Sequence, residues 1–147
     1  MNSLRIKRKV NNLFIQAEYA ESLSVCEKRP CGFAVQVNDE VVAIGFNHGD
    51  EEECNCNLNA ENPDCLHAEI HGLKHTVFLS NDDVVAACTY LCCLNCCKEM
   101  LRRGVRKLYY RDHRNSESKQ QGIKYLKMNG VDVFHFWNGK ERNLDEV

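Results

Sequence analysis

The chain has no apolar run near the roughly 18 residues that a membrane-spanning helix needs, so no such helix is expected in its 147 residues. It has no surplus of positive charge. Nineteen Lys and Arg stand against 21 Asp and Glu, a formal net charge of -2. A general nucleic-acid binder gains its affinity by neutralising phosphates, so nucleic acid is not an expected partner. Behind the basic start Met1–Lys9 there is no apolar signal segment, so no secretory leader is expected. Internal repeats and low-complexity stretches are also missing. What remains is one domain over residues 1–147, whose 44% hydrophobic content is enough for one core but too little for two.

Cysteine is abundant, at ten residues. Without a leader the expected compartment is the reducing cytoplasm, where clustered cysteines serve metals or catalysis more often than disulfides. Apolar residues at Ile6, Val10, Leu13, Ala17, Ala20 and Leu23 recur at helical spacing and predict a helix from Leu4 to about Val25. Phe33–Val37 and Val41–Phe46 flank Asn38-Asp39, a hairpin pattern. His48 to Asp64 lacks periodicity, and a loop of that length is usually functional or pinned by a metal. Further on, helices are predicted over Leu66–Phe78, Leu94–Gly104 and Ser116–Asn129. Ser116 is the cap of the last, and Gly104 and Gly130 are stops. Strands are predicted over Val84–Leu91, Lys107–Arg111 and Val131–Trp137, and the tail Asn138–Val147 reads as polar and loosely held. Alternation in the second half implies parallel strands with helical crossovers, so the chain is α/β with a five-stranded mixed sheet.

Two short clusters carry chemistry. His67-Ala68-Glu69 opens a predicted helix, and Cys93-Leu94-Asn95-Cys96 sits where a strand gives way to a helix. On a first helical turn the two thiols project to one side, and the positive helix end favours thiolates. One imidazole and two thiolates make a three-ligand zinc shell with an open fourth position for water, the arrangement of a catalytic zinc. Glu69 is close enough to His67 to serve the bound water as proton carrier without binding the metal. His-x-Glu followed by Cys-x-x-Cys is the zinc-deaminase signature. Alone, a Cys-x-x-Cys also fits a structural zinc module or a thioredoxin-like dithiol, while the two clusters together favour the deaminase.

Over Ser24 to Phe136 the sequence resembles the deoxycytidylate (dCMP) deaminases of the cytidine deaminase-like superfamily. The segments that carry the resemblance are Ser24-Val25-Cys26, Cys31-Gly32-Phe33-Ala34-Val35, Gly45-Phe46-Asn47-His48-Gly49, Cys65-Leu66-His67-Ala68-Glu69, Thr89 through Cys96, and Gly104 through Tyr110. The long insert before His67 favours the dCMP branch, and phage-encoded members are similarly compact. Three positions depart from the family pattern: Cys92 replaces a proline, His71 an asparagine, and Tyr90 a small polar residue or histidine. Cys92 and Cys97 are rival thiols, but Cys93 and Cys96 keep the family spacing.

The resemblance implies a three-layer α/β/α fold and hydrolysis of dCMP to dUMP and ammonia. Water activated at zinc attacks C4, and Glu69 protonates N3 and then the leaving amine. It assigns the Ala68 backbone amide to the base and Asn47 to the sugar, although a simple turn role for Asn47 stands beside that one. It further implies homo-oligomers, often hexamers, with activation by dCTP and inhibition by dTTP, bound with magnesium near Gly45, Phe46, Asn47 and Gly49. For a phage-encoded member the cytoplasm would be the host's. A nucleic-acid deaminase, acting on tRNA adenosine or on DNA or RNA cytosine, is the alternative enzyme, since His67-Ala68-Glu69-Ile70 resembles the tRNA enzymes too.

Cys26, Cys54, Cys56 and Cys65 remain, and two readings stand. They hold a second, structural zinc, joined by His48, His71 or His75, or they are free thiols. Cys88 reads as core. Arg111, His113 and Arg114 read either as phosphate contacts at strand ends or as a solvated loop.

Overall fold

The hairpin is set by its turn. Asn38 and Asp39 adopt φ of 50° and 76°, the left-handed pair that a two-residue hairpin turn demands and that these short polar residues tolerate. The computed structural model describes residues 3–24, 30–49, 65–66, 68–74, 76–79, 81–90, 93–112, 117–137 and 140–143. In chain order these form α1 (Ser3–Ser22), β1 (Gly32–Val37), β2 (Glu40–Phe46), β3 (His48–Gly49), β4 (Cys65–Leu66), α2 (Ala68–Leu73), β5 (Val84–Tyr90), α3 (Leu94–Arg103), β6 (Lys107–Asp112), α4 (Glu117–Met128), β7 (Asp132–Trp137) and β8 (Lys140–Asn143).

The main sheet runs β2-β1-β5-β6-β7-β8. β1 is antiparallel to both β2 and β5, whereas β5, β6 and β7 are parallel and joined through α3 and α4. The five expected strands are thus present in a mixed sheet, and the tail adds a sixth. β8 pairs antiparallel with β7, Trp137 opposite Lys140 and Phe134 opposite Asn143. This corrects the reading of the tail as loosely held over Lys140–Asn143. A polar segment can pair as an outer strand through its backbone alone, so hydropathy does not reveal it.

Strand alternation divides the core into two layers. Phe33, Val35, Ala86, Cys88, Leu108, Tyr110 and Val133 face α2, α3 and α4 through Ala68, Leu73, Cys97, Met100 and Leu126. Ala34, Val85, Ala87, Tyr109 and Phe136 face α1 through Val10, Leu13, Phe14 and Ala17. Leu23, expected on the buried side of α1, is exposed instead. It follows the last residue of that helix.

The helix expected over Leu66–Phe78 is only Ala68–Leu73. The Thr76 amide and hydroxyl both donate to the Leu73 carbonyl, at 3.2 and 2.9 Å. Val77 and Leu79 then lie exposed while Phe78 packs partly buried against the core, a pattern that helical spacing does not describe. α3 ends as expected, with Gly104 at φ 99° donating its amide to the Met100 and Leu101 carbonyls, a left-handed cap that favours glycine. Gly130 likewise takes φ 82° after α4. Ser116, the expected cap of α4, lies outside the described residues.

Candidate active site

Parallel β5 ends near the start of α3, at the strand end where α/β sheets place their chemistry. Cys93 is the N-cap of α3, in extended conformation, and its side chain makes no capping bond to the helix. Its carbonyl accepts from the Cys97 amide at 3.0 Å, which starts the helix. Cys96 then lies on the first turn, buried, with its Sγ 3.4 Å from that of Cys93. A disulfide would bring the sulfurs to about 2.05 Å, and neither cysteine is in one. Two sulfurs on one tetrahedral zinc, each about 2.3 Å away, stand about 3.8 Å apart. The pair is therefore spaced as metal ligands, within a few tenths of an ångström.

Glu69 arrives from α2. That helix lies close on β2 because Gly45 faces the backbone of Ala68 and Gly72 with no side chain between them. Ala68 and Glu69 are both buried. The Glu69 carboxylate is near enough to the Cys96 thiol for its charge to act on it. The Cys96 thiol is pushed far above the usual cysteine range, first by its bond to Cys93, then by burial, then by the Glu69 charge. The helix terminus alone was expected to favour thiolates. Two thiolates beside a buried carboxylate concentrate negative charge that a divalent cation would balance.

These residues fit zinc: soft sulfur ligands, a buried carboxylate beside them and charge to be balanced. His67, the expected third ligand, lies outside the described residues, as do Cys92, the rival of Cys93, and the site candidates Cys26, Cys54 and Cys56. Among the described residues no three metal-binding side chains come together. Cys97 is set apart from the pair. It is buried at the junction with α4, its Sγ 2.8 Å from where a Gly122 Cβ would stand. Cys88 is core, as expected, and its thiol donates to the Tyr109 carbonyl at 3.8 Å.

Asn47 is buried and is more than a turn residue. Its Oδ1 accepts from the Ser24 hydroxyl at 2.5 Å and from the Cys31 amide at 2.8 Å. Ser24 also donates to the Asn47 carbonyl at 2.9 Å. Sequence reasoning missed Ser24, which lies 23 residues away and carries no local signal. Gly45, Phe46 and Asn47 adjoin α2 and the end of β2, and Gly45 itself is buried there, which gives it a packing role. Gly49 and Cys65 pair backbone to backbone, as do His48 and Leu66. His71 Nδ1 lies 3.1 Å from both the amide nitrogen and the carbonyl oxygen of Phe46. Arg111 belongs neither to a solvated loop nor to an open phosphate site. Its guanidinium pairs with Glu21 at 3.0 Å and Glu18 at 3.7 Å on α1. His113 and Arg114 lie outside the described residues.

A family model described as the cytidine and deoxycytidylate deaminase zinc-binding region matches residues 8–112. No curated protein matches the chain. Among solved structures, the dCMP deaminase of cyanophage S-TIM5 in apo form is 27% identical, with a TM-score of 0.71, covering 92% of this chain and 100% of that one. The same phage enzyme in complex with dCMP and dUMP gives 27% and 0.74, with 92% and 99% covered. Acinetobacter baumannii RibD shares the fold at 18% identity and a TM-score of 0.67, over 88% of this chain and 35% of that longer one. No described helix is long and apolar enough to cross a membrane.

Proposed function

The chain belongs to the cytidine and deoxycytidylate deaminase family, and we propose that it hydrolyses dCMP to dUMP and ammonia with a catalytic zinc held by His67, Cys93 and Cys96. The observation that carries this reading is the buried Glu69 carboxylate set against the Cys93–Cys96 pair. The likeness to the phage enzyme that binds dCMP and dUMP favours the nucleotide over other cytosine compounds.

When bound, zinc acts as a Lewis acid that lowers the pKa of a coordinated water to about 7. The chain's own residues do the rest. Glu69 takes one proton and passes it to N3 of the ring, then supports proton delivery to the amino group as it leaves C4. Burial of Glu69 and Ala68 keeps bulk water from that exchange. The Ala68 amide is the candidate donor to the base. The Asn47 carboxamide, fixed by Ser24 and Cys31, is the candidate contact to the sugar.

The same reading includes one deaminase domain over residues 1–147, in a homo-oligomer, a hexamer being favoured. It works in the cytoplasm, or in the host cytoplasm if phage-encoded. dCTP activates it and dTTP inhibits it, with magnesium, at the Gly45–Gly49 segment. Cys26, Cys54, Cys56 and Cys65 either hold a second zinc or remain reduced thiols.

The test is ammonia release from dCMP by zinc-loaded protein, with Glu69→Gln alongside and cytidine, dCTP and an oligonucleotide as rival substrates. Turnover of dCMP that is lost in the variant supports the reading. Activity on a rival alone removes the nucleotide assignment, and silence on all four substrates favours a structural zinc. Adding dCTP or dTTP with magnesium reads the regulation, and zinc content separates one site per chain from two.

A further inference from the structure

Among the described residues β2 is the outer strand of the main sheet and pairs with β1 alone. At its end the Asn47 amide turns toward β1 and donates to the Cys31 carbonyl at 3.4 Å. Peptide groups alternate in direction along a strand, so the Phe46 amide and carbonyl face the other way. Both meet His71 on α2, at 3.1 Å from its Nδ1. The imidazole also stands edge-on to the Phe46 ring, with centroids 4.7 Å apart and planes at 86°. His71 therefore serves the last residue of β2 where a further strand would have done so.

We infer that His71 is a positioning residue, a clamp between α2 and the end of β2 that fixes the Glu69 carboxylate relative to Asn47. Glu69 lies two residues before His71 on the same short helix, and Asn47 directly follows Phe46. One contact thus ties the proton carrier to the candidate sugar contact. Its catalytic consequence rests on the deaminase reading.

The chemistry of the clamp gives it a signature. A neutral imidazole nitrogen either accepts or donates, so Nδ1 serves the Phe46 amide or its carbonyl, one at a time. A carboxamide carries an acceptor and a donor on adjacent atoms, and its δ atoms stand where Nδ1 stands. Asparagine at this position can serve both Phe46 groups together, whereas alanine serves neither.

The experiment compares zinc-loaded wild type, His71→Ala and His71→Asn. Misplacement of a catalytic group by about 1 Å costs about 100-fold, so kcat of His71→Ala is expected to fall by that order. KM should stay within about threefold, because a positioning defect acts on the transition state more than on ground-state binding. His71→Asn should restore kcat. Phe46 amide exchange, read by NMR without substrate, should speed up about tenfold in the alanine variant, as loss of one hydrogen bond predicts, and recover in the asparagine variant. In the unmodified protein, nitrogen–nitrogen coupling across the bond from the Phe46 amide to Nδ1 reads the contact directly, even if the alanine variant does not fold. Unchanged Phe46 exchange in the alanine variant, absence of that coupling with no recovery by asparagine, or unchanged kcat overturns the clamp. If the wild type is silent on dCMP, the substrate reading fails, while the exchange and coupling measurements still decide the clamp.

Discussion

Gly45 and Gly72 meet backbone to backbone: a Cβ built on Gly45 would lie 2.3 Å from the Gly72 nitrogen and 2.3 Å from the Ala68 carbonyl oxygen. Neither neighbour is a flexible side-chain end, so α2 as a whole must move to admit a methyl group. Gly45→Ala is expected to cost about 3 kcal/mol, at the upper end for overpacking. By the usual scaling that lowers Tm by roughly 6–12 °C, which calorimetry checks. Activity should fall further than stability, because the helix that moves carries Glu69.

Zinc occupancy should track the thiols. Cys93 and Cys96 must both give up protons to bind metal, and without metal the Cys96 thiol is held well above its usual range. Zinc affinity is therefore expected to rise with pH, and binding at neutral pH to release protons. Titration calorimetry in buffers of different ionisation enthalpy counts them. Cys96→Ser should lower zinc content and ammonia release together. A chelator should abolish turnover in the wild type, and added zinc should restore it.

Asn47 separates stability from recognition. Asn47→Ala removes the oxygen that accepts from the Ser24 hydroxyl and the Cys31 amide, at a cost of about 0.5–1.5 kcal/mol for each hydrogen bond lost. Asn47→Asp keeps the accepting oxygen and is expected to retain more of the wild-type Tm. If the amide nitrogen serves the sugar, Asn47→Asp raises KM for dCMP. Steady-state kinetics beside thermal melts distinguish the two effects.

Acid should remove the stabilising contribution of one ion-pair cluster. Glu99 accepts from Arg102 Nη2 at 2.6 Å and from Arg103 Nε at 3.0 Å. Those bonds hold its carboxyl down at about 2 from an ordinary 4.5. A carboxyl lowered on folding stabilises the native state above its unfolded pKa, and that contribution is lost as pH falls toward the folded value. Glu99→Gln should thus be less stable than wild type at neutral pH, by under about 1 kcal/mol for a partly exposed cluster. The gap should close between about pH 4.5 and pH 2, as urea melts along that range would show.

The sequence is most legible where a local rule acts alone. Asn38-Asp39, the spacing of Cys93 and Cys96, and Gly104 each announce a backbone geometry within a few residues, and each is found. β8 was hidden because an outer strand can pair through its backbone whatever its hydropathy. The early stop of α2 depends on Thr76 turning back to Leu73, which helical spacing does not register. The partners of Asn47, His71 and Arg111 come from other elements. Such contacts belong to tertiary structure, so residue type suggested their importance while their roles stayed open. Glu69 beside Cys96 was legible in advance because two motifs with fixed roles had to converge.

The two-residue ladder of β3 and β4 joins His48 to Leu66 and Gly49 to Cys65, and so closes the 50–64 span at its neck. The ladder therefore ties the chain entering α2 to the chain leaving β2 through backbone bonds, which do not depend on the side chains of its four residues.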